Sequence, residues 1–288
     1  MIVPTIEPTA TDVAAHYDEL DRFYREVWGE HIHHGLWQSR GATPEEAVHR
    51  LIAVVAEQAR LGPGDAVCDV GCGYGGTARV LAREHGAEVT ALTISPAQHA
   101  QALAFDPGAT NPTYLLRDWL ENGLPSRSFG AAIAIESTEH MADLAAFFAE
   151  AHRVLRPGGR LVVCAWLSRD DPRRWEVRHL LEPICREGRL RHMGSAAEYD
   201  RLARAAGLVP VAFQDVSRQV KKTWPICARR IAAGLVRDPF YRRFLLRERS
   251  PHKVFGLTML RIWLAYELGS MRYGILTAVK PGYRESEE

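Results

Sequence analysis

The chain has 288 residues, of which 47% are hydrophobic and 25% are charged, and its formal net charge is +1. This balance is typical of a single globular enzyme domain, and a charge near zero without a basic tail argues against a nucleic-acid partner. No apolar run reaches membrane-spanning length, so we expect no integral membrane segment. Residues 1–11 have neither an apolar core nor an arginine-rich face, and we expect a loose tail there.

The five cysteines lack the C-x-x-C spacing of a redox or metal site. An odd number without such spacing favours a reducing compartment, and we predict a cytoplasmic protein. His31, His33 and His34 suggest zinc at first sight. A closed structural zinc site needs four ligands, however, and no other Cys or His cluster is evident in the sequence. We therefore predict no metal.

Apolar runs and chain breakers predict a helical cap followed by alternating strands and helices. The capping box Thr43-Pro44-Glu45-Glu46 starts a helix that we expect to reach about Leu61. The alternation that follows predicts a doubly wound α/β fold with a parallel sheet, helices on both faces and ligands at the carboxyl ends of the strands. The predicted strands are 66–70, 88–93, 113–117, 130–135, 160–165 (entered through a turn at 155–159), 209–215 and 272–281.

A glycine-rich loop, Asp69-Val70-Gly71-Cys72-Gly73-Tyr74-Gly75-Gly76, follows the first strand. Gly71 and Gly73 let the backbone turn sharply and approach a ligand, and the next helix presents free N–H groups to that ligand. Asp69 would repel the pyrophosphate of a dinucleotide, but it can attract the ammonium and sulfonium of S-adenosyl-L-methionine. The backbone from Gly73 to Gly75 then faces the methionine carboxylate. In this order of acid and glycines the chain closely resembles the class I S-adenosylmethionine-dependent methyltransferases.

The end of the second strand carries no acid for the ribose hydroxyls, which many such enzymes place there. The string Thr93-Ile94-Ser95-Pro96-Ala97-Gln98 offers neutral groups instead, and we predict that Thr93, Ser95 and Gln98 bind the ribose beside Ile94. Ser95 is also a good helix cap before Pro96. The string resembles the branch that contains tocopherol C-methyltransferases, cyclopropane fatty acid synthases and natural-product methyltransferases.

Two further segments also resemble this branch. One, residues 117–119, follows the third strand, and the other, residues 135–141, follows the fourth. The resemblance implies that Asp118 accepts from the adenine amine and that Trp119 covers the ring, although a plain surface turn is the alternative. It also places Glu136 and His140 beside the transferring methyl. His140 would remove the proton from a hydroxyl acceptor, and Glu136 would stabilise the cation formed by a carbon acceptor.

The beginning and the later part of the chain are expected to enclose these ligands. By resemblance, the N-terminal segment folds over the cofactor, with Tyr17 in the cofactor wall and His33 or His34 in the acceptor pocket. We also assign Trp166 and Trp224 to that pocket, because aromatic side chains shield a sulfonium and accept a flat molecule. The lid arginines 229, 230, 242 and 243 would suit an acidic group or diphosphate; ordinary amphipathic helices are the alternative.

These observations predict a Rossmann-like methyltransferase fold with seven strands, closed by an antiparallel strand at 272–281. We divide the chain into a cap (1–42), a cofactor-binding core (43–167) and lid insertions with closing strands (168–288). The predicted activity is methyl transfer to carbon or oxygen of an amphipathic, aromatic or prenylated small molecule, by a protein that can form a homo-oligomer. The alternatives are methylene transfer to a lipid alkene, a non-catalytic cofactor-binding protein, and a nicotinamide oxidoreductase, which Asp69 disfavours.

Overall fold

The computed structural model describes residues 1–39, 41–246 and 255–282, and for 243–246 and 255–256 it describes the backbone alone. Seven strands form one sheet: β1 (Ala66–Val70), β2 (Glu88–Thr93), β3 (Thr113–Leu116), β4 (Phe129–Ile135), β5 (Leu155–Ser168), β6 (Val209–Asp215) and β7 (Met271–Val279). The helices are α1 (Ala10–Glu19), α2 (Asp21–Val27), α3 (Pro44–Ala59), α4 (Gly76–His85), α5 (Pro96–Phe105), α6 (Leu144–Val154), α7 (Arg174–Glu176), α8 (Glu182–Glu187), α9 (Ala196–Ala205), α10 (Ser217–Val220), α11 (Thr223–Arg237), α12 (Pro239–Leu246) and α13 (Phe255–Leu268).

The strand order is β3-β2-β1-β4-β5-β7-β6. Strands β1 to β5 pair in parallel, whereas β7 runs antiparallel to both β5 and β6. The predicted doubly wound, mostly parallel seven-stranded sheet is therefore confirmed. The order reverses between β1 and β4, and a crevice at the carboxyl ends of these two strands is where such sheets bind ligands.

Helices cover both faces of the sheet because successive strand residues point to opposite sides. In β4, Ala131 and Ile133 join one hydrophobic core with α3, α4 and the lid helices. Ala132 and Ala134 join a second core with α6 and α9. Helix α3 begins at the expected capping box, since Thr43 accepts from the Glu46 amide and the Glu46 side chain accepts from the Thr43 amide.

Strand β5 is longer than predicted. It begins at Leu155, which pairs with Phe129, and the register then shifts so that Arg160 faces Ala131. The expected turn at 155–159 is therefore an irregularity inside the strand, with Gly158 in the left-handed region at φ +80°. Pro157, Gly158 and Gly159 do mark an irregularity of the backbone, but the pairing of Leu155 with β4 makes this segment part of the sheet.

The loose tail expected at 1–11 is wrong. Ile2 exchanges two backbone hydrogen bonds with Met193, at 2.9 and 2.8 Å, and its side chain is 8% exposed. Thr5 donates its hydroxyl to Glu182 at 2.7 Å, and Thr9 caps α1. The scattered apolar residues of this segment show no period, so the sequence does not reveal that Ile2 anchors it once a partner backbone lies beside it.

Candidate active site

The glycine loop after β1 is shaped by three left-handed residues: Gly71 (φ +81°), Gly73 (φ +55°) and Gly75 (φ +76°). A Cβ on Gly71 would lie 2.4 Å from the Ser137 Cβ, and one on Gly75 would lie 2.5 Å from the Tyr114 ring. At Gly73 no atom comes closer than 4.0 Å. Gly71 and Gly75 therefore permit close packing, whereas Gly73 leaves its backbone open toward a ligand.

A cavity lies at the carboxyl ends of β1, β2 and β4, roofed by α1, and we call it the cofactor cavity. It contains most of the residues that the sequence assigned to a cofactor. The assigned residues that line it are Tyr17, Gly71, Gly73, Thr93, Ile94, Gln98, Asp118, Trp119, Glu136 and His140. Three assigned residues lie behind this lining: Asp69, Gly75 and Ser95.

Asp69 lies in a small cavity beneath the glycine loop, together with His31 and His33. Its side chain is 2% exposed, and its Oδ2 has no hydrogen-bond partner among the described residues. Burial raises the pKa of Asp69 to about 7. The described part of the protein therefore holds a buried acid next to the loop without a hydrogen-bond donor for its Oδ2.

The polar groups after β2 are organised by hydrogen bonds among themselves. Thr93 donates its hydroxyl to the Gln98 side-chain oxygen at 2.8 Å, which leaves the Gln98 NH₂ for a ligand. The Ser95 hydroxyl accepts from the Gln98 amide at 3.1 Å and donates to Asp18 of α1. Ser95 is thus a helix cap that also fastens α1 to the start of α5, a link that the sequence did not reveal.

The segment after β3 is more buried than a surface turn. Asp118 accepts from the Leu120 amide at 2.9 Å. The Trp119 indole donates to the Phe147 carbonyl at 3.3 Å and is 2% exposed, with its ring packed against Phe147. Both residues line the cofactor cavity, but most of the Trp119 ring belongs to the core beneath it.

Glu136 follows β4 with its backbone in the left-handed region, at φ +53°, which is unfavourable for glutamate. Its Oε1 accepts from the His34 amide (2.7 Å), His34 Nδ1 (3.0 Å) and the Tyr273 hydroxyl (2.7 Å). Its Oε2 accepts from Trp166 Nε1 at 2.8 Å. Burial by itself would raise the pKa of Glu136, but attraction to His34 and the hydrogen bonds from it lower this pKa to about 2. Glu136 is therefore a fixed buried anion.

Tyr17 and His140 stand together in the wall of the cofactor cavity. A carbonyl oxygen only accepts, so the 3.0 Å contact to the Arg189 carbonyl puts the proton of His140 on Nδ1. Nε2 then accepts from the Tyr17 hydroxyl at 3.0 Å. Burial lowers the pKa of His140 to about 4, which keeps the ring neutral near pH 7.

A second cavity lies on the other side of this wall, and we call it the acceptor cavity. It shares four lining residues with the cofactor cavity: Tyr17, Ile32, Glu136 and His140. The predicted pocket residues His34, Trp166 and Trp224 line it, and their rings meet at 5.4 to 5.6 Å in edge-to-face arrangements. His33 does not, because its Nδ1 points to the His34 carbonyl and its Nε2 to Thr77.

Further lining residues of the acceptor cavity were missed from the sequence, notably Tyr24 and Trp28 of the cap. Their spacing of four on a helical segment was a usable signal for a shared face. Among the described residues, the side chains that line the cavity include three acids, Glu136, Glu139 and Glu187, and neither lysine nor arginine. Burial raises the pKa of Glu139 to about 7.

Two of the four lid arginines expected near a diphosphate have other contacts, and Arg229 is exposed. Arg230 donates to the Val27 carbonyl at 2.6 Å, and Arg242 donates to the carbonyls of Leu235 and Val236. The side chain of Arg243 lies outside the described residues. Within the described ranges, no group of three or more His, Cys, Asp or Glu side chains could hold a metal ion, and no helix has the length and apolarity needed to cross a bilayer.

Comparison with known proteins gives consistent matches. Residues 5–228 match the family model described as mycolic acid cyclopropane synthetase. Chloroplastic tocopherol O-methyltransferase of Arabidopsis thaliana is 31% identical over 93% of this chain and 82% of that protein. The 27-O-demethylrifamycin SV methyltransferase of Amycolatopsis mediterranei is 32% identical over 96% of this chain and 99% of that protein. The crystal structure of the mycolic acid cyclopropane synthase CmaA1 with SAH and CTAB has a TM-score of 0.82 at 21% identity, covering 96% of this chain and 99% of that chain.

Proposed function

Since the chain belongs to the mycolic acid cyclopropane synthetase family and is an S-adenosylmethionine-dependent methyltransferase of small molecules, we propose that its acceptor is an uncharged, hydrophobic or aromatic compound of secondary metabolism, prenylated or polyketide-like. The observation that carries this proposal is the acceptor cavity, which aromatic rings and three acidic side chains line, with no lysine or arginine among the described residues. A phosphate or diphosphate would be repelled there by the ionised Glu136.

The two cavities support one binding site for each substrate. S-adenosylmethionine would occupy the cofactor cavity, with its methionine carboxylate at the Gly73 backbone and its ribose at the side-chain NH₂ of Gln98. Asp69 beneath the loop offers its buried carboxylate to the ammonium, directly or through water. The cofactor and the acceptor meet at the wall that both cavities share, which contains Tyr17, Glu136 and His140.

Catalysis then depends mainly on alignment and on a fixed charge. The sulfonium methyl is already electrophilic, so the residues that border both cavities mainly align the acceptor with it and exclude water. Glu136, ionised and bonded on both oxygens, stabilises positive charge that develops on a carbon acceptor. His140 holds Tyr17 in place and is neutral, so this pair can pass on the proton of a hydroxyl acceptor.

The test uses two variants, Glu136→Gln and His140→Ala. Each is expected to lose about 100-fold or more in turnover with phenol, quinol and isoprenoid acceptors, because charge stabilisation or proton removal is lost. Each should retain binding of S-adenosylhomocysteine in calorimetry, with no binding of NAD. Glu121→Gln, the same change on the exposed surface, is the control. Wild-type turnover in both active-site variants would contradict the assignment.

Methylene transfer to a lipid alkene is a second candidate that the family name favours. The two curated relatives described above carry methyltransferase names at 31% and 32% identity, and the likeness to CmaA1, at 21%, concerns the fold alone. The five free cysteines support a reducing compartment, which we propose to be the cytoplasm. We also propose that a homo-oligomer can form; light scattering tests this.

A further inference from the structure

We infer that His34 is the general base that takes the proton from a hydroxyl acceptor, and that the acceptor is therefore a neutral phenol or alcohol methylated at oxygen. This inference rests on the proposed function, which places the acceptor in the cavity that His34 lines. It moves proton removal from the Tyr17–His140 pair to His34, leaves that pair the role of holding the shared wall in place, and narrows the acceptor class.

The histidines that line the acceptor cavity differ in what their Nε2 atoms contact. Nε2 of His16 is 3.0 Å from the Tyr24 hydroxyl, and Nε2 of His140 is 3.0 Å from the Tyr17 hydroxyl. Nε2 of His34 is buried and has no hydrogen-bond partner among the described residues. Such an atom loses hydration on folding and gains nothing in return unless a ligand bonds it.

Glu136 fixes the orientation and tautomer of His34. A carboxylate oxygen only accepts, so the 3.0 Å contact to Nδ1 puts a proton on that nitrogen, and in the neutral ring the lone pair is then on Nε2. The side chain of His34 is 2% exposed and packs against Trp166, Trp224 and Tyr273. A carboxylate that holds one imidazole nitrogen while the other abstracts a proton is the arrangement of a hydrolase triad.

A donor that has no partner in the described structure belongs to a ring that packs against His34. The Trp224 ring is 5.4 Å from that of His34, and its Nε1–H is buried without a partner among the described residues. Both side chains line the same cavity. A hydroxyl group suits this pair, because it can donate its proton to His34 Nε2 while its oxygen accepts from Trp224 Nε1.

The step balances with the groups already named. The hydroxyl oxygen forms a bond to the methyl carbon as the bond from that carbon to sulfur breaks, and the electron pair of the broken bond stays on sulfur. The hydroxyl proton moves to His34 Nε2. The positive charge of the sulfonium thereby becomes that of an imidazolium, which lies next to the ionised Glu136.

The titratable groups that face His34 come from several elements. Glu136 follows β4, Tyr273 is on β7, Tyr266 is on α13, and His33 precedes His34 in the chain. Burial lowers the pKa of His33, and it raises those of Tyr266 and Tyr273 well above their usual values. Near neutral pH, Glu136 is therefore the charged group among these neighbours.

The first experiment is spectroscopic and does not require turnover. The protein with saturating S-adenosylhomocysteine is titrated with 4-nitrophenol at a pH below the pKa of the free probe, and the phenolate absorbance is followed. The wild type is expected to bind the probe as phenolate. His34→Asn, whose amide keeps a donor near Glu136, should bind it as neutral phenol. His179→Asn, the same change at an exposed histidine, should ionise it as the wild type does.

Several results overturn the inference. One is the absence of any phenolate signal with the wild type, whether because the probe stays neutral or because it does not bind. Another is equal phenolate formation in His34→Asn. Calorimetry with S-adenosylhomocysteine shows for each variant that the protein is folded and its cofactor cavity intact, which separates a local effect from misfolding.

Turnover with labelled methyl donor gives the second readout. His34→Asn should lose about 100-fold in kcat for unsubstituted phenol, yet retain most of its rate with 4-nitrophenol at a pH above the pKa of that probe, because the proton has already left. A merely structural role would slow both acceptors alike. If the probe is ionised but no acceptor is methylated, the proposed function is overturned and the role of His34 as base is supported. If His34→Asn methylates a carbon acceptor at the full rate, the proposed function is supported and the role of His34 is overturned.

Discussion

At the scale of single residues, Asp69 is the clearest case of a group whose protein environment is unfavourable until a ligand arrives. It is buried, its Oδ2 has no partner in the described structure, and burial raises its pKa to about 7. Its pKa in the unfolded chain is about 3.9. Because the folded value is the higher one, the contribution of this group to stability is complete below about pH 4 and is lost as the pH rises toward about 7.

Asp69→Asn is therefore expected to change stability and binding in opposite directions. The ligand-free variant should be more stable than the wild type at pH 8, by several degrees in Tm, and no more stable at pH 4, because asparagine carries no charge to bury. Thermal unfolding across this pH range checks the stability effect. The affinity of the wild type for S-adenosylhomocysteine should rise with pH through about 7, since the cofactor ammonium favours the ionised acid.

Calorimetric titration with S-adenosylhomocysteine measures the effect of Asp69→Asn on cofactor affinity. Asp69→Asn should bind S-adenosylhomocysteine at least tenfold more weakly at pH 8, with a flat pH dependence. Asp171→Asn, an exposed acid, serves as the comparison. An unchanged affinity in Asp69→Asn would show that the carboxylate beneath the loop has no part in holding the cofactor.

At the scale of elements, helix α1 is attached to the sheet through a polar link rather than through a broad apolar face. Val13 is its buried apolar residue, whereas Asp18 accepts from the Ser95 hydroxyl and from the Ala97 amide at the start of α5. An acid at that helix start is also favoured by the helix dipole. Because α1 supplies Tyr17 to both cavities, its attachment controls how well each is closed.

Asp18→Ala should loosen α1 without unfolding the core. We expect S-adenosylhomocysteine to bind about tenfold more weakly and amide hydrogen exchange to increase in residues 10–19, with a small change in Tm. Hydrogen exchange by mass spectrometry, with Glu19→Ala as the exposed neighbouring control, measures this. Unaltered exchange in α1 would mean that contacts other than Asp18 hold it.

The sequence predicted most of the sheet because strands, glycine turns and helix caps are encoded locally. Strands β1, β2 and β6 begin and end where the apolar runs do, and the Thr43 capping box starts α3. The contacts that organise the site are of another kind. His34 and Glu136 are 102 positions apart, and Asp18 and Ser95 are 77 apart, so only the folded sheet brings them together. Residue type placed His34, Glu136 and Ser95 among the predicted site residues, but it indicated neither the contact of Asp18 nor which atoms lack a partner in the described structure.

At the scale of the whole molecule, the first residues join the cap to the segment that precedes α9. Ile2 pairs with the Met193 backbone, and Leu190, a few residues before, lines the acceptor cavity. The beginning of the chain therefore forms part of the support around the acceptor, at a distance in sequence that no local pattern reveals.

Replacement of Ile2 by aspartate should weaken this support. We expect a several-fold higher KM for a phenol acceptor, a smaller change in the affinity for S-adenosylhomocysteine and faster proteolysis near residue 2, because an unpaired charge replaces a buried apolar side chain. Ile6→Asp is the matched control, since Ile6 is 73% exposed. Identical KM values for the two variants would contradict this role for the first residues.

The shared wall of the two cavities has a consequence for ligand design. Tyr17, Ile32, Glu136 and His140 border both cavities, so a short linker past these four side chains can join an adenosine-bearing fragment to a phenolic one. Joining two fragments makes the second contact intramolecular, and its effective concentration can reach the millimolar range. Two weak fragments would then act as one tight bisubstrate ligand, selective for this enzyme because the aromatic end must fit against Trp166 and Trp224.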